Sequence, residues 1–276
     1  MTHTKPSALS MQDRILAFPH PLANGCNRCK LIGSDLCRVV HDEAPCDRRQ
    51  PKTRWFGRGD VIVEQDEIPG FLGVLRSGYV KQERLRLNGN HVLLGLACPG
   101  DIVGGVPGIA TNCTSEAATD IEICAFDRAT MQILMLESPR FRQVFSRETG
   151  RQYQRLLESA WHRNALGSRE RIIAFLVDAI KIMPTEPLPD GSIILEVEVA
   201  RRDWAGLTNT AVETISRTMR YLEEKDMVIS LTPYKFRIRD LDQLASLAGV
   251  EAPEQPWPRS DRRYSAANSS VLPDFA

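Results

Sequence analysis

At 276 residues, 42% of them hydrophobic, the chain is too long for one ordinary domain and suits two of moderate size, each able to bury its own core. Its 35 basic and 35 acidic side chains cancel, which excludes a blanket attraction for nucleic acid; any DNA affinity must come from local clustering of Lys and Arg. Seven cysteines, with no secretion-signal pattern over residues 1–20 and no apolar run of about 18 residues, argue against a disulfide scaffold or a membrane span and for a cytoplasmic chain with reduced or metal-bound thiols.

Residues 1–50 form a cysteine-rich segment. Cys26, Cys29 and Cys37 lie in GCNRCKLIGSDLC, and a C-x2-C pair with a nearby third thiolate is a compact way to hold one face of a metal cluster, a fourth ligand coming from afar. Cys46 offers another completion, a wholly N-terminal four-thiolate zinc site. Cys98 and Cys113 read as ordinary small buried thiols. His41, His91 and His162 read as solvated histidines.

Residues 51–137 carry short runs, VIVEQ, FLGVL, YVKQERLRL and HVLLGLA, separated by turn chemistry at Gly57, Gly59, Ser77-Gly78, Asn88-Gly89 and Pro99-Gly100-Asp101. Even punctuation with no interleaved helix predicts an antiparallel jelly roll able to hold a ligand. Asn88-Gly89 is the best hairpin signal, a two-residue primed turn.

Over 138–166 the texture becomes that of one long amphipathic helix, with Tyr153, Leu156, Leu157 and Ala160 on one face. That stripe fits either packing onto the chain's own β-roll or a dimer seam, and spacing leaves both open. Gly150 costs about 1 kcal/mol against alanine inside a helix, so a bend or a separate shorter helix is expected near it.

Residues 167–250 begin with SRERIIAFLVDAI, in which Ser168 is an N-cap candidate. Pro184, Pro187 and Pro189 stop that helix. IILEVEV then precedes a helix, a tight polar turn, a second helix and a strand pair, the outline of a winged helix-turn-helix. On the second helix Val212, Ile215, Met219 and Leu222 form the predicted inward face, and Glu213, Ser216, Arg217 and Arg220 the outward one. Arg suits guanine O6 and N7, Glu accepts from cytosine N4, and Ser serves either way. An i, i+4 pair of Glu213 with Arg217 on a solvated helix is the other reading. Residues 251–276, rich in proline and small polar residues, read as a disordered tail.

VETISRTMRYLEEKDMV, RSGYVKQERL and PGDIVGG resemble the Crp/Fnr superfamily of bacterial transcription regulators over roughly residues 50–250. The resemblance implies an α+β architecture: a cyclic-nucleotide-binding-type β-roll, a long dimerisation helix and a C-terminal winged helix-turn-helix that reads double-stranded DNA. It favours the dimer seam, and a two-fold dimer implies a near-palindromic promoter site. Glu213, Ser216 and Arg217 match base-contacting positions of the Fnr branch, with Thr214 and Arg220 completing the DNA-binding set. Val212 stands where the cyclic-AMP receptor branch has arginine, so a TTGAT-like half-site is implied.

The family's cyclic-nucleotide pocket uses a Gly-Glu pair and an Arg-Ser or Arg-Thr pair. In GDIVGGVPGIATNCTSEAATD, Gly104-Gly105 lacks the carboxylate and Cys113-Thr114-Ser115 the arginine, which disfavours cyclic AMP because a buried phosphate needs a charge partner. Cys26, Cys29, Cys37 and Cys124, the last in DIEICAFD, resemble instead the oxygen-sensing Fnr ligand set for a [4Fe-4S] cluster. The Cys29 to Cys37 interval exceeds that of the best-known Fnr pattern and is similar to alphaproteobacterial-type members. The implied protein is an anaerobic activator that works with RNA polymerase; a structural zinc site or another β-roll effector is the alternative. P-loop, nucleophile-elbow, H-E-x-x-H and Rossmann signatures are all missing, so the chain does not read as an enzyme.

Overall fold

The computed structural model describes residues 35–37, 39, 52–87, 89, 91–105 and 108–253. Cys26, Cys29, Cys46, His41 and the expected tail beyond residue 253 lie outside them.

Eight strands build the first layer pair: β1 (Lys52–Phe56), β2 (Val61–Val63), β3 (Phe71–Ser77), β4 (Val80–Leu85), β5 (His91–Ala97), β6 (Ile102–Gly104), β7 (Thr114–Ala117) and β8 (Ile121–Asp127). They form two four-stranded sheets, ordered β1-β8-β3-β6 and β2-β7-β4-β5, with antiparallel pairing throughout. Alternate side chains point to opposite faces of a strand. Ile121, Ile123 and Ala125 of β8 therefore enter the core between the sheets with Phe71, Leu75, Val80 and Ala117, while Glu122, Cys124 and Phe126 face outward.

The β4–β5 hairpin departs from the two-residue turn expected at Asn88-Gly89. Leu85 pairs with His91, so the connection runs over 86–90; Gly89 has φ of 81° and donates its N–H to the carbonyl of Arg86 at 2.9 Å. Glycine, with no Cβ, adopts that left-handed conformation without steric cost.

Helix α2 (Arg128–Glu137) follows β8 directly, capped by Asp127, whose carboxylate accepts from the Thr130 N–H at 2.7 Å. That accepted bond, with the one from the Thr130 hydroxyl, holds the Asp127 carboxyl below its usual range. Helix α3 (Pro139–Ala165) has proline at its first turn, where no N–H partner is lost, and Ser138 as N-cap. It runs unbroken through Gly150 for 27 residues, roughly 40 Å. The expected break does not occur, because a single glycine costs little against the packing of so long a helix.

The second domain comprises α4 (Ser168–Ile182), β9 (Thr185–Pro187), β10 (Ile193–Glu196), α5 (Arg201–Thr208), α6 (Val212–Glu224), β11 (Val228–Ser230), β12 (Lys235–Ile238) and α7 (Leu241–Ala248). Gly167, rather than Ser168, caps α4: its N–H donates to Glu170 Oε2 at 2.7 Å, and Ser168 is the first helical residue. Its four-strand sheet runs β11-β12-β10-β9. β9 was masked in sequence by its prolines, but it is an edge strand, where proline loses no ladder bond. The core is organised on Trp204, fully buried and stacked on Phe175 with centroids 5.1 Å apart, with Phe236 edge-on at 6.2 Å.

The domains meet closely. Tyr79 of the β3–β4 turn is fully buried within the second domain's apolar cluster and donates its hydroxyl to the Ile182 carbonyl at 3.0 Å. A Cβ on Gly206 of α5 would lie 3.1 Å from Leu93 of β5, so glycine permits that approach.

Candidate DNA interface and cysteine segment

The reader is the pair α5–α6. Between them Asn209 adopts a left-handed conformation (φ 48°), and Thr208 and Thr210 share a hydroxyl hydrogen bond of 2.8 Å, which fixes the tight polar turn. The buried face of α6 is Ile215, Thr218, Met219 and Leu222. Val212 does not belong to it. It is 39% exposed, because it opens the helix beyond the edge of the core and periodicity cannot show where a core ends. Thr218 takes the inward place instead.

Glu213, Ser216, Arg217 and Arg220 are exposed together, and Thr214 is half-buried beside them. Glu213 and Arg217 make no ion pair among the described residues. Ser216 returns its hydroxyl to the Val212 carbonyl at 3.2 Å, a bond it can exchange for one to a base. Arg169 of α4 stacks on Tyr221, 4.2 Å from the ring centroid, and steadies α6 from behind. A residue the sequence reading passed over is Arg201 at the start of α5: its guanidinium lies 4.6 Å from the Trp204 ring centroid, and burial lowers its pKa from the ordinary arginine value.

At the other end, residues 35–37 and 39 are helical; this is α1. Leu36 and Val39, on either side of Cys37, are 3% and 1% exposed, buried with Leu72, Val74, Phe126, Met131, Leu134, Phe141 and Val144. Cys124 packs on that same cluster, and Asp35 forms an ion pair with Arg147 of α3. Both described members of the predicted ligand set are half-buried. Among the described residues no group of three or more His, Cys, Asp or Glu is placed to hold a metal ion, and Cys26 and Cys29 fall outside that description. Cys98 and Cys113 are buried, as expected of ordinary thiols. His162 is not solvated as expected: it is 8% exposed, with Nδ1 3.3 Å from Asp178 Oδ2.

A sensor-like β-roll, a long connecting helix and an exposed reading helix in a winged domain define a two-domain DNA-binding regulator. Family models agree: a cyclic nucleotide-binding domain matches residues 53–138 and a Crp-like helix-turn-helix domain residues 170–247. The chain belongs to the Crp/Fnr superfamily of transcription regulators, and is not an enzyme. It is 25% identical to the transcriptional activatory protein AadR of Rhodopseudomonas palustris, over 85% of this chain and 99% of that one. It is 24% identical to the transcriptional activator protein FnrL of Cereibacter sphaeroides, over 75% and 84%. The fold matches FixK2 from Bradyrhizobium japonicum with a TM-score of 0.64 at 17% identity, covering 74% of this chain and 98% of that one. No described helix is long and apolar enough to cross a membrane.

Proposed function

We propose that this regulator responds to oxygen through a [4Fe-4S] cluster held by Cys26, Cys29, Cys37 and Cys124, and binds TTGAT-like inverted half-sites as a homodimer. The supporting observation is the docking of α1: Leu36 and Val39, which flank Cys37, are buried in the apolar cluster on which Cys124 also packs. The donor set fits, since soft thiolates are the ligands iron–sulfur clusters take, and burial beside apolar side chains limits solvent access. When bound, the cluster supplies oxygen-labile thiolate ligation that ties the N-terminal segment to β8.

The chain's own residues do the rest. Asp35 and Arg147 link α1 to α3, so whatever orders α1 also acts on the helix that carries Tyr153, Leu157 and Trp161, exposed by 58%, 45% and 52%. These three suit a dimer seam; Leu156 instead leans toward Gly95 of its own β-roll. Dimerisation then sets two copies of α6 one helical turn apart, with Glu213, Thr214, Ser216, Arg217 and Arg220 toward the bases. Shifting such an equilibrium from mostly off to mostly on takes roughly 5 kcal/mol, within reach of ligation coupled to ordering. Contact with RNA polymerase and a cytoplasmic location complete the reading.

The test is anaerobic purification with absorption spectroscopy and iron and sulfide analysis, followed by air. A brown protein that bleaches in air, and loses iron and anaerobic DNA binding together in Cys29→Ser, is expected. Undiminished anaerobic DNA binding by that variant overturns the mechanism.

A further inference from the structure

A cavity of about 390 Å³ lies where β5, α3, α4 and α5 converge. Its apolar wall includes Leu96, Leu156, Phe175, Ile182 and Leu207. The described part of the 104–114 loop, where the family resemblance would put a cyclic-nucleotide phosphate, contributes nothing to it.

The basic side chains around this cavity fall into two sets. Arg155 is paired with Asp101, and Lys181 and His162 share Asp178 at 3.0 and 3.3 Å, with Glu158 3.7 Å from Lys181. Arg163 and Arg171 differ: among the described residues no carboxylate lies within ion-pair distance of either. Arg163 donates to the Leu94 carbonyl at 3.0 Å, and Arg171 to the Arg163 carbonyl at 3.0 Å and Ser168 Oγ at 3.2 Å. Arg171 Nε is buried with no hydrogen-bond partner. Burial lowers the pKa of Arg163, so its charge is held there at a cost. Two adjacent arginines with no carboxylate at ion-pair distance, beside an aromatic and aliphatic wall, make half of a charge-assisted site.

We infer that this cavity binds a small molecule with a compact anionic head, carboxylate or phosphate, seated on Arg163 and Arg171, and an apolar body against Leu96 and Phe175. Because the walls come from both domains, such a ligand bridges the β-roll and the DNA reader and biases their relative placement, an input separate from the cysteines.

The test is calorimetric titration of the full chain with phenyl phosphate, benzoate and inorganic phosphate. Saturable binding of at least one phenyl compound, about tenfold tighter than inorganic phosphate, is expected; Arg163→Gln and Arg171→Gln should each weaken it by about tenfold. Leu207→Trp, which fills the cavity from α5, should block it and serves if an arginine variant fails to fold. Cys29→Ser should bind as the parent does, which separates this site from the cluster reading. Failure of both phenyl compounds to bind, equal binding of inorganic phosphate, or unchanged binding by the variants overturns the proposal.

Discussion

The two ends of this molecule are anchored very differently. The reading end rests on a continuous core in which Trp204, Phe236, Ile215 and Leu222 are each at most 0% exposed and four helices share one apolar cluster. At the other end, the described residues of the cysteine segment include Leu36 and Val39, buried in a separate apolar cluster, and Asp35, ion-paired with Arg147. On the proposed function, a reader with its own core joined to a segment docked through a separate cluster suits a switch, since the elements that move come from the low-stability end.

That contrast can be broken at either end. The largest effect is expected from Trp204→Ala, about 3–5 kcal/mol by denaturant unfolding, with loss of DNA binding; a loss under 1 kcal/mol would mean the reading end is not the rigid one. Leu36→Ala should weaken docking of α1 by about 2–4 kcal/mol, seen as faster proteolysis near residue 37, while the denaturant midpoint of the chain stays nearly unchanged. Equal loss of global stability would make α1 part of the main core. Arg217→Ala should cost about 1–3 kcal/mol in binding to a TTGAT-like site, and less on a scrambled site, with no change in stability. A uniform loss on both sequences would reduce Arg217 to a phosphate contact.

The smallest effect concerns the seam between the domains. Lys81 of β4 meets Glu116 at 2.9 Å, Glu83 at 3.3 Å and Asp203 of α5 at 3.9 Å, and His91 lies 3.4 Å from Glu83. Burial raises the Asp203 pKa; Lys81 and Arg58 pull it down, and Glu83 and Glu116 push it up. The folded state therefore binds this proton more readily than the unfolded chain, so stability falls as pH rises from the ordinary carboxylate range through the raised value. Asp203→Asn should flatten that part of the stability–pH curve measured by thermal unfolding. An unchanged slope would assign it to Glu122, whose pKa burial also raises.

The architecture was legible where a pattern repeats. Alternation and turn residues marked the β-roll, and the outward stripe of α6 marked its exposed face. Local pattern failed where the answer depends on a neighbour. Val212 obeys the periodicity yet stays 39% exposed at the helix start. His162 sits in a polar helix, yet finds Asp178 on another. Helices α2 and α7, of ten and eight residues, are short enough that their caps, Asp127 and Asp240, say more than their periodicity. For the cysteines, spacing grouped Cys26, Cys29 and Cys37, and alternation along β8 turns Cys124 away from the inter-sheet core, but that Leu36 and Val39 pack on that same face is a tertiary fact no local pattern carries.

Tyr79 carries a consequence for how the molecule comes apart. Its backbone N–H is fixed to Thr119 Oγ1 at 3.0 Å in the β-roll, while its ring completes the apolar cluster of the winged domain. Opening one domain strips a wall from the other, so heating should yield a single calorimetric transition rather than two, and a fragment cut off before α4 should be less stable than the same residues in the whole chain.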